Sequence, residues 1–406
     1  MKHLLVLFST LILVSCSSYR LKEHNFPDPV DTYEKPVTFQ EKREITNQGI
    51  TADNLFDGAR MNDFLMVNDT TFRVVVSPEN FPINGSAYFG FRIKSTTKRN
   101  IDLEIEYTQH EHRYIPKLSY DGENWTAMDT MLFDTIKAPN LATLKLEIDS
   151  KPLFVCGQEL MTSDNAVSWT KNIVEGNKEA SSGVAGKSKL GRDIIFFDID
   201  FSPRKGKETV VIFSRLHPPE VTGYIAMQSY VETILDTSAL STLFRNKFRI
   251  LVYPMVNPDG VDLGHWRHNA GGIDLNRDWA FYRQVEPRIV ANHVMDQLKK
   301  KKSKVVLGLD FHSTQEDIYY TLTDNRKSNI FGFKNIWLEG IDNKFPNYTP
   351  NDGAYDLNTP ITKGWFYLQF GAEGITYEVG DETPRDFVRE KAKVAAQEMM
   401  KLLVLR

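Results

Sequence analysis

The sequence predicts an α/β fold with a mixed, largely parallel sheet flanked by helices, preceded by an all-β, sandwich-like domain. Three observations predict it. From about residue 194 onward, apolar β-branched runs alternate with longer amphipathic stretches, the pattern of a sheet whose strands are joined by helices. Between about residues 50 and 148 the runs are short and alternating instead, and turn pairs such as Asn84-Gly85 and Asp121-Gly122 separate them. The length, 406 residues with 41% hydrophobic and 25% charged, is enough for two separate cores.

In chain order, residues 1–16 come first. Met1-Lys2-His3, an apolar run to Val14, and Ser15-Cys16 describe a secretory signal too short to span a bilayer as a helix. Leu13-Val14-Ser15-Cys16 resembles the bacterial lipoprotein signal. That resemblance implies lipidation of Cys16, a membrane lipid anchor, and a place in the cell envelope, at the periplasmic face or the outer surface of the outer membrane. The remaining thiol, Cys156, has no partner for an internal disulfide. Residues 17–44 are polar, carry Pro27, Pro29 and Pro36, and read as a tether.

Residues 45–150 form the expected β domain, with strands at 71–76, 87–93, 101–107, 115–120 and 142–148. His110-Glu111-His112 falls inside it and reads either as a metal pair or as a polar hairpin tip. Residues 151–406 form the expected α/β domain. A helix at 166–174 and a Gly/Ser/Lys-rich loop at 181–191 lead to strands at 194–201, 210–216, 248–256, 305–311 and 374–379. Helices are expected at 221–235, near Leu240, at 285–301 and at 386–403. The last presents Val388, Ala392, Ala395, Met399 and Leu402 at helical spacing.

Net charge is −4, and no long basic run marks a nucleic-acid footprint. Lys299-Lys300-Lys301-Lys302 closes a helix, where cations suit the dipole.

The chemistry begins at Val210-Val211-Ile212-Phe213-Ser214-Arg215-Leu216-His217-Pro218-Pro219-Glu220. Neither proline can donate to a ladder, so the strand must stop and turn, leaving His217 and Glu220 at its carboxyl edge. Val305 to Ser313 is a second apolar strand ending in a histidine, His312. Two His and one Glu make a catalytic zinc set that leaves a position open. Glu378 lies in a further β-rich run, where a buried carboxylate is costly without a partner. Arg267 and Arg277, in a Gly-rich irregular segment, suit either a carboxylate or oxyanion ligand or a loop salt bridge.

These motifs, with Asn257-Pro258-Asp259-Gly260 and Asp274-Leu275-Asn276-Arg277 between them, resemble the zinc carboxypeptidases of the carboxypeptidase A type over about residues 181–406. Arg215-Leu216-His217-Pro218-Pro219-Glu220 and the upstream β domain look most like the cytosolic-carboxypeptidase branch. The resemblance implies one Zn2+ per chain held by His217, Glu220 and His312, with Glu378 as general base and acid. It implies Arg267 as the cation facing the oxyanion, and Asn276 and Arg277 as the grip on a peptide's free C-terminal carboxylate. It further implies Asp274 as the partner of a ligand histidine and Tyr355 as a mobile substrate contact.

Where the family often carries Arg before the metal Glu, this chain has Pro219, so one substrate-contacting cation is missing. Lys363, two residues before Trp365, stands where the family reads the substrate side chain and would favour an acidic residue. The expected function is metal-assisted hydrolysis of C-terminal peptide bonds. An envelope amidase acting on cell-wall peptides or acylated amino acids, and a non-catalytic surface-binding lipoprotein, are the alternatives.

Overall fold

The computed structural model describes residues 19–201 and 204–406; the lipidation expected at Cys16 lies outside the described residues. Two β-sheets lead into a helix-covered mixed sheet. The six-stranded sheet runs Glu44–Asn47, Ile50–Asp53, Gly90–Ser95, Leu153–Cys156, Lys117–Ser119, Thr126–Ala127. The five-stranded sheet runs Asp63–Met66, Thr71–Val76, Arg99–Tyr107, Leu141–Ile148, Phe133–Ala138. Alternation drives this packing. Ile101, Leu103, Ile105 and Tyr107 share a core with Phe91, Ile93 and Val155 of the other sheet.

Three expectations need correction here. The β region runs past 150, because Leu153–Cys156 is an interior strand paired with Gly90–Ser95 and Lys117–Ser119. Its brevity hid it among turn residues. The segment expected as a free tether is irregular but packed. Phe26 joins Ala280, Leu322 and Leu357 in a core cluster, Thr32 Oγ1 donates to Asp278 at 2.5 Å, and the amides of Lys35 and Thr38 donate to Gly271 and Glu79.

The loop expected at 181–191 is largely an edge strand, Ala180–Lys187, antiparallel to Asp193–Ile199. Its glycines make room for neighbours: a Cβ on Gly186 would sit 2.7 Å from Ile289 Cγ2. His110 and His112 form no metal pair. His110 Nε2 donates to the Ile83 carbonyl at 2.8 Å, and the His112 ring bonds Tyr107 Oη at 2.7 Å.

The third sheet runs Ala180–Lys187, Asp193–Ile199, Phe248–Tyr253, Glu208–Ser214, Lys304–Thr314, Glu373–Gly380, Ile318–Tyr320. Its middle four strands are parallel and its edges antiparallel. Strands buried on both faces need apolar side chains on both. Val210 and Ile212 enter one core with the helices Val221–Ile234 and Arg385–Leu405; Val211 and Phe213 enter the other with Val285–Lys301 and Thr362–Phe370.

Two contacts bring elements close at the site. Gly308 lies under the Phe366 ring. Gly223, in the first turn of Val221–Ile234, lies against the His312 backbone, where a Cβ would be 2.3 Å from the His312 carbonyl oxygen. The Gly223 amide and the Thr222 hydroxyl both donate to Ser313 Oγ, at 2.9 and 2.7 Å. The helix that begins beside Glu220 is thereby pinned to the strand that carries His312.

Gly223→Ala should therefore destabilise the protein by roughly 1–3 kcal/mol or more, read from the urea midpoint, and weaken metal retention. An unchanged midpoint would contradict this account of the close approach.

Candidate metal centre and cleft

Beyond Ser214 the chain leaves the sheet through Arg215, whose φ of 53° is left-handed. Arg215 Nη2 donates to the Pro218 carbonyl at 2.6 Å, and the Asn257 side-chain amide donates to the Leu216 carbonyl at 3.0 Å. The two prolines carry the turn, and Glu220 precedes the helix Val221–Ile234. His312 sits inside its strand, which extends to Thr314 rather than stopping at 311.

His217, Glu220 and His312 converge, with one potential ligand atom of each within 4.8 Å of the others. Glu220 Oε1 lies 2.7 Å from His217 Nδ1, and Oε2 lies 2.6 Å from His312 Nδ1. Both imidazoles turn their other nitrogen away to a carboxylate. His217 Nε2 donates to Asp274 Oδ1 at 2.8 Å, and His312 Nε2 donates to Asp310 Oδ2 at 2.7 Å. A carboxylate behind each ring fixes the tautomer and leaves both Nδ1 atoms free for a cation, the usual support of metal-ligating histidines.

The charges agree. Burial alone would raise the Glu220 carboxyl, but His217 and His312 outweigh it and hold it far below the usual range. Burial opposes charge on His312 too, yet Asp310 and Glu220 raise its pKa well above that of a free imidazole. A site that holds a proton this firmly between carboxylates favours a cation, which would displace that proton on binding.

Glu378 stands beside His312, its register partner across the parallel pair Lys304–Thr314 and Glu373–Gly380. The residue is partly exposed, but Oε2 is shut off from solvent and has no protein partner. Burial lifts its pKa to about 7; Glu220 adds to the rise, while His312, His217 and Arg267 oppose it. Asp274 is held well below the carboxylate range despite burial, chiefly by Arg267, whose Nε donates to Oδ2 at 2.8 Å, and by His217.

His217, Glu220, Arg267 and Glu378 line one cleft of about 360 Å³, together with Asn276, Arg277 and Tyr355. Arg277 is half-exposed, 3.8 Å from Asp274. Asn276 accepts the Thr362 amide at 3.0 Å and places its own amide nitrogen 3.4 Å from His312 Nε2. Burial lifts the Tyr355 hydroxyl to about 12, with Arg277 opposing.

Lys363 does not fit its expected place. It is fully buried and absent from the cleft wall, its Nζ donating to the Thr321 and Tyr355 carbonyls at 2.7 and 2.9 Å beneath the Tyr355 ring. A helix, Thr362–Phe370, turns it inward. It props the segment that carries Tyr355 instead of reading a side chain.

Four contributors went unpredicted. Asp310 had a signal, since residues two apart on a strand share a face with His312. Thr362 Oγ1 donates to the same Asp310 oxygen at 2.5 Å. Asn84 and Arg113 line the cleft from the β region, and nothing local in the sequence marks them.

Residues 166–397, more than half the chain, match the zinc carboxypeptidase family, and the chain belongs to it. That family is zinc-dependent, and the His217–Glu220–His312 cluster fits a zinc ion in donor type and number. "Cytosolic carboxypeptidase 2" of Danio rerio is 35% identical over 129 residues, 32% of this chain and 16% of that protein. The Homo sapiens protein of the same name is 32% identical over 152 residues, 37% of this chain and 15% of that protein. The match thus spans about a sixth of these relatives' length.

Among solved structures, a metallo-carboxypeptidase from Burkholderia cenocepacia superposes with TM-score 0.72 at 16% identity, over 88% of this chain and 99% of that one. One from Pseudomonas aeruginosa, in complex with (2-guanidinoethylmercapto)succinic acid, gives TM-score 0.66 at 16% identity, over 87% and 98%. These likenesses carry the fold, β region included.

Asp310→Asn should lower zinc affinity by roughly 10- to 100-fold, measured by chelator competition. The change removes a carboxylate from behind His312 without touching a ligand, so unaltered affinity would contradict its orienting role.

Proposed function

We propose that the protein is a zinc-dependent metallocarboxypeptidase that hydrolyses C-terminal peptide bonds. The observation that carries the proposal is a cation-ready His–Glu–His cluster beside an unpartnered carboxylate, Glu378, in a cleft that also holds Arg267 and Arg277. His217, Glu220 and His312 would hold the zinc. When bound, zinc supplies Lewis-acid polarisation of the scissile carbonyl and of a water.

The chain's own residues supply the rest. Arg277, with Asn276, receives the substrate's terminal carboxylate through the fork geometry of its guanidinium. Glu378 takes a proton from the attacking water and returns it to the leaving amine. Its enclosed Oε2, free of protein partners, suits that transfer because nothing has to be broken first. Arg267, locked by Asp274, presents fixed positive charge where the oxyanion develops. Asp274 and Asp310 hold the two imidazoles in the tautomer that binding requires.

Glu378→Gln should leave zinc content near one per chain and lower kcat by roughly 100- to 10,000-fold. In the active protein, kcat/KM should fall as pH drops through the Glu378 pKa, since only the ionised carboxylate accepts the proton. Burial lifts that group to about 7, and a neighbouring zinc ion lowers it, so the acid limb belongs below neutrality. Full turnover by the Gln variant would sink the mechanism and reopen the reading of a non-catalytic binding protein.

Arg277→Ala separates an exopeptidase from an amidase. It should lower kcat/KM for peptides with a free C-terminus by roughly 30-fold or more, equivalent to at least about 2 kcal/mol. Equal cleavage of free and C-terminally amidated substrates would favour the amidase.

A further inference from the structure

Pro219 removes a cation from the turn between the ligands, yet the cleft wall regains one from the β region. Arg113 lines the cleft with Glu378, His217 and Glu220, and it feels the Glu220 charge. It also lines a second cavity of about 490 Å³, walled by His110 and Glu111 of the β region and by Gln315, Asp381 and Glu382 of the catalytic region. The two spaces share Arg113 as a common wall, so a chain leaving the metal centre past Arg113 enters the seam between the regions.

The hydrogen-bond count on this wall is unfinished. Arg113 Nε donates to Asp381 Oδ2 at 2.8 Å, and Nη2 pairs with the same oxygen at 2.8 Å. Nη1 donates to Ser86 Oγ at 3.0 Å and more weakly to the Gly85 carbonyl at 3.4 Å. Of the five guanidinium N–H groups, at least one on Nη2 is left without a protein acceptor. Asp381 is only 3% exposed, and its Oδ1 has no partner at all. One free donor therefore lies beside one free buried acceptor. The pair is close to neutral as a unit, so it offers little net charge to an acidic or basic side chain.

We infer that the Arg113–Asp381 pair is a subsite for the peptide main chain upstream of the scissile bond, taking the N–H and C=O of one extended residue as it enters the seam. The Arg113 N–H donates to that residue's carbonyl, and Asp381 Oδ1 accepts the same residue's amide hydrogen, the two groups that extended backbone turns to one side. The inference rests on the carboxypeptidase reading and adds to it that the β region completes the substrate cleft. Substrates should gain from upstream main chain, with little regard to the upstream side chains.

The test uses N-acetylated substrates with one common C-terminal residue, lengthened upstream by one alanine at a time, and the full zinc-loaded chain. In the unsubstituted protein, kcat/KM should rise at one lengthening step by roughly five- to fifty-fold, the size of two hydrogen bonds. In Arg113→Gln and Asp381→Asn that step should shrink to under about twofold, with zinc content retained. Arg113→Lys, which keeps the charge pair, should show an intermediate step, and it serves if the Gln variant folds poorly. Calorimetric binding of the same ladder to the Glu378→Gln protein repeats the comparison without turnover. A ladder with no step in binding, or a step that survives all three substitutions, overturns the subsite. A step in binding without hydrolysis by the unsubstituted protein counts against the carboxypeptidase reading alone. A step that appears only with upstream glutamate overturns main-chain recognition in favour of side-chain charge.

Discussion

The Asp274 carboxylate is the constraint on which the site's arrangement depends. Oδ1 accepts from His217 Nε2 and from the Asn276 amide, each at 2.8 Å; Oδ2 holds Arg267 Nε, with Arg277 close by. One buried group thus orients the His217 ring, the Arg267 guanidinium and the short helical turn Leu275–Arg277 that carries Asn276 and Arg277. It remains ionised because those neighbours are cations or donors, which offsets the cost of burying it. Removing any one neighbour would alter the field felt by the others.

The second constraint comes from outside the catalytic sheet. Glu79, in the β region, accepts the amides of Trp266, Arg267 and His268 at 2.8, 2.9 and 2.6 Å. Trp266 packs in the β core. The loop that presents Arg267 is therefore shaped by the upstream region, and positive charge beside the His217–Glu220–His312 cluster depends on a fold built from residues far away in sequence. The packed segment from residue 19 to 43 reinforces this, since Gln40 Nε2 reaches the Leu263 carbonyl at 3.0 Å while Phe26 enters the catalytic region.

What was legible in the sequence is what local pattern controls. The parallel strands read as apolar runs because both their faces are buried, and the helix Val285–Lys301 emerged with its own bounds. His217, Glu220 and His312 were legible because each sits where an apolar run meets a polar residue that cannot be buried alone. The failures were of long range. Leu153–Cys156 is too short to signal a strand until two neighbours pair with it. Ala180–Lys187 reads as a loop because its glycines serve residues elsewhere in the chain. Lys363 was placed by spacing from Trp365, and spacing says nothing about which side of the Thr362–Phe370 helix meets the cleft. Arg113 carries no local mark, because its role exists only once two regions close on each other.

The register of two parallel strands has a last consequence. His312 and Glu378 are ladder partners, so backbone hydrogen bonds fix how far apart the chain holds these two residues. A slip of one residue would send a side chain to the opposite face, so the pairing tolerates no intermediate adjustment. The site therefore has no graded, half-formed version: it comes into being together with a sheet whose strands are far apart in sequence, at the slow, non-local end of folding. Metal capture by this chain becomes a report that the sheet has closed in register.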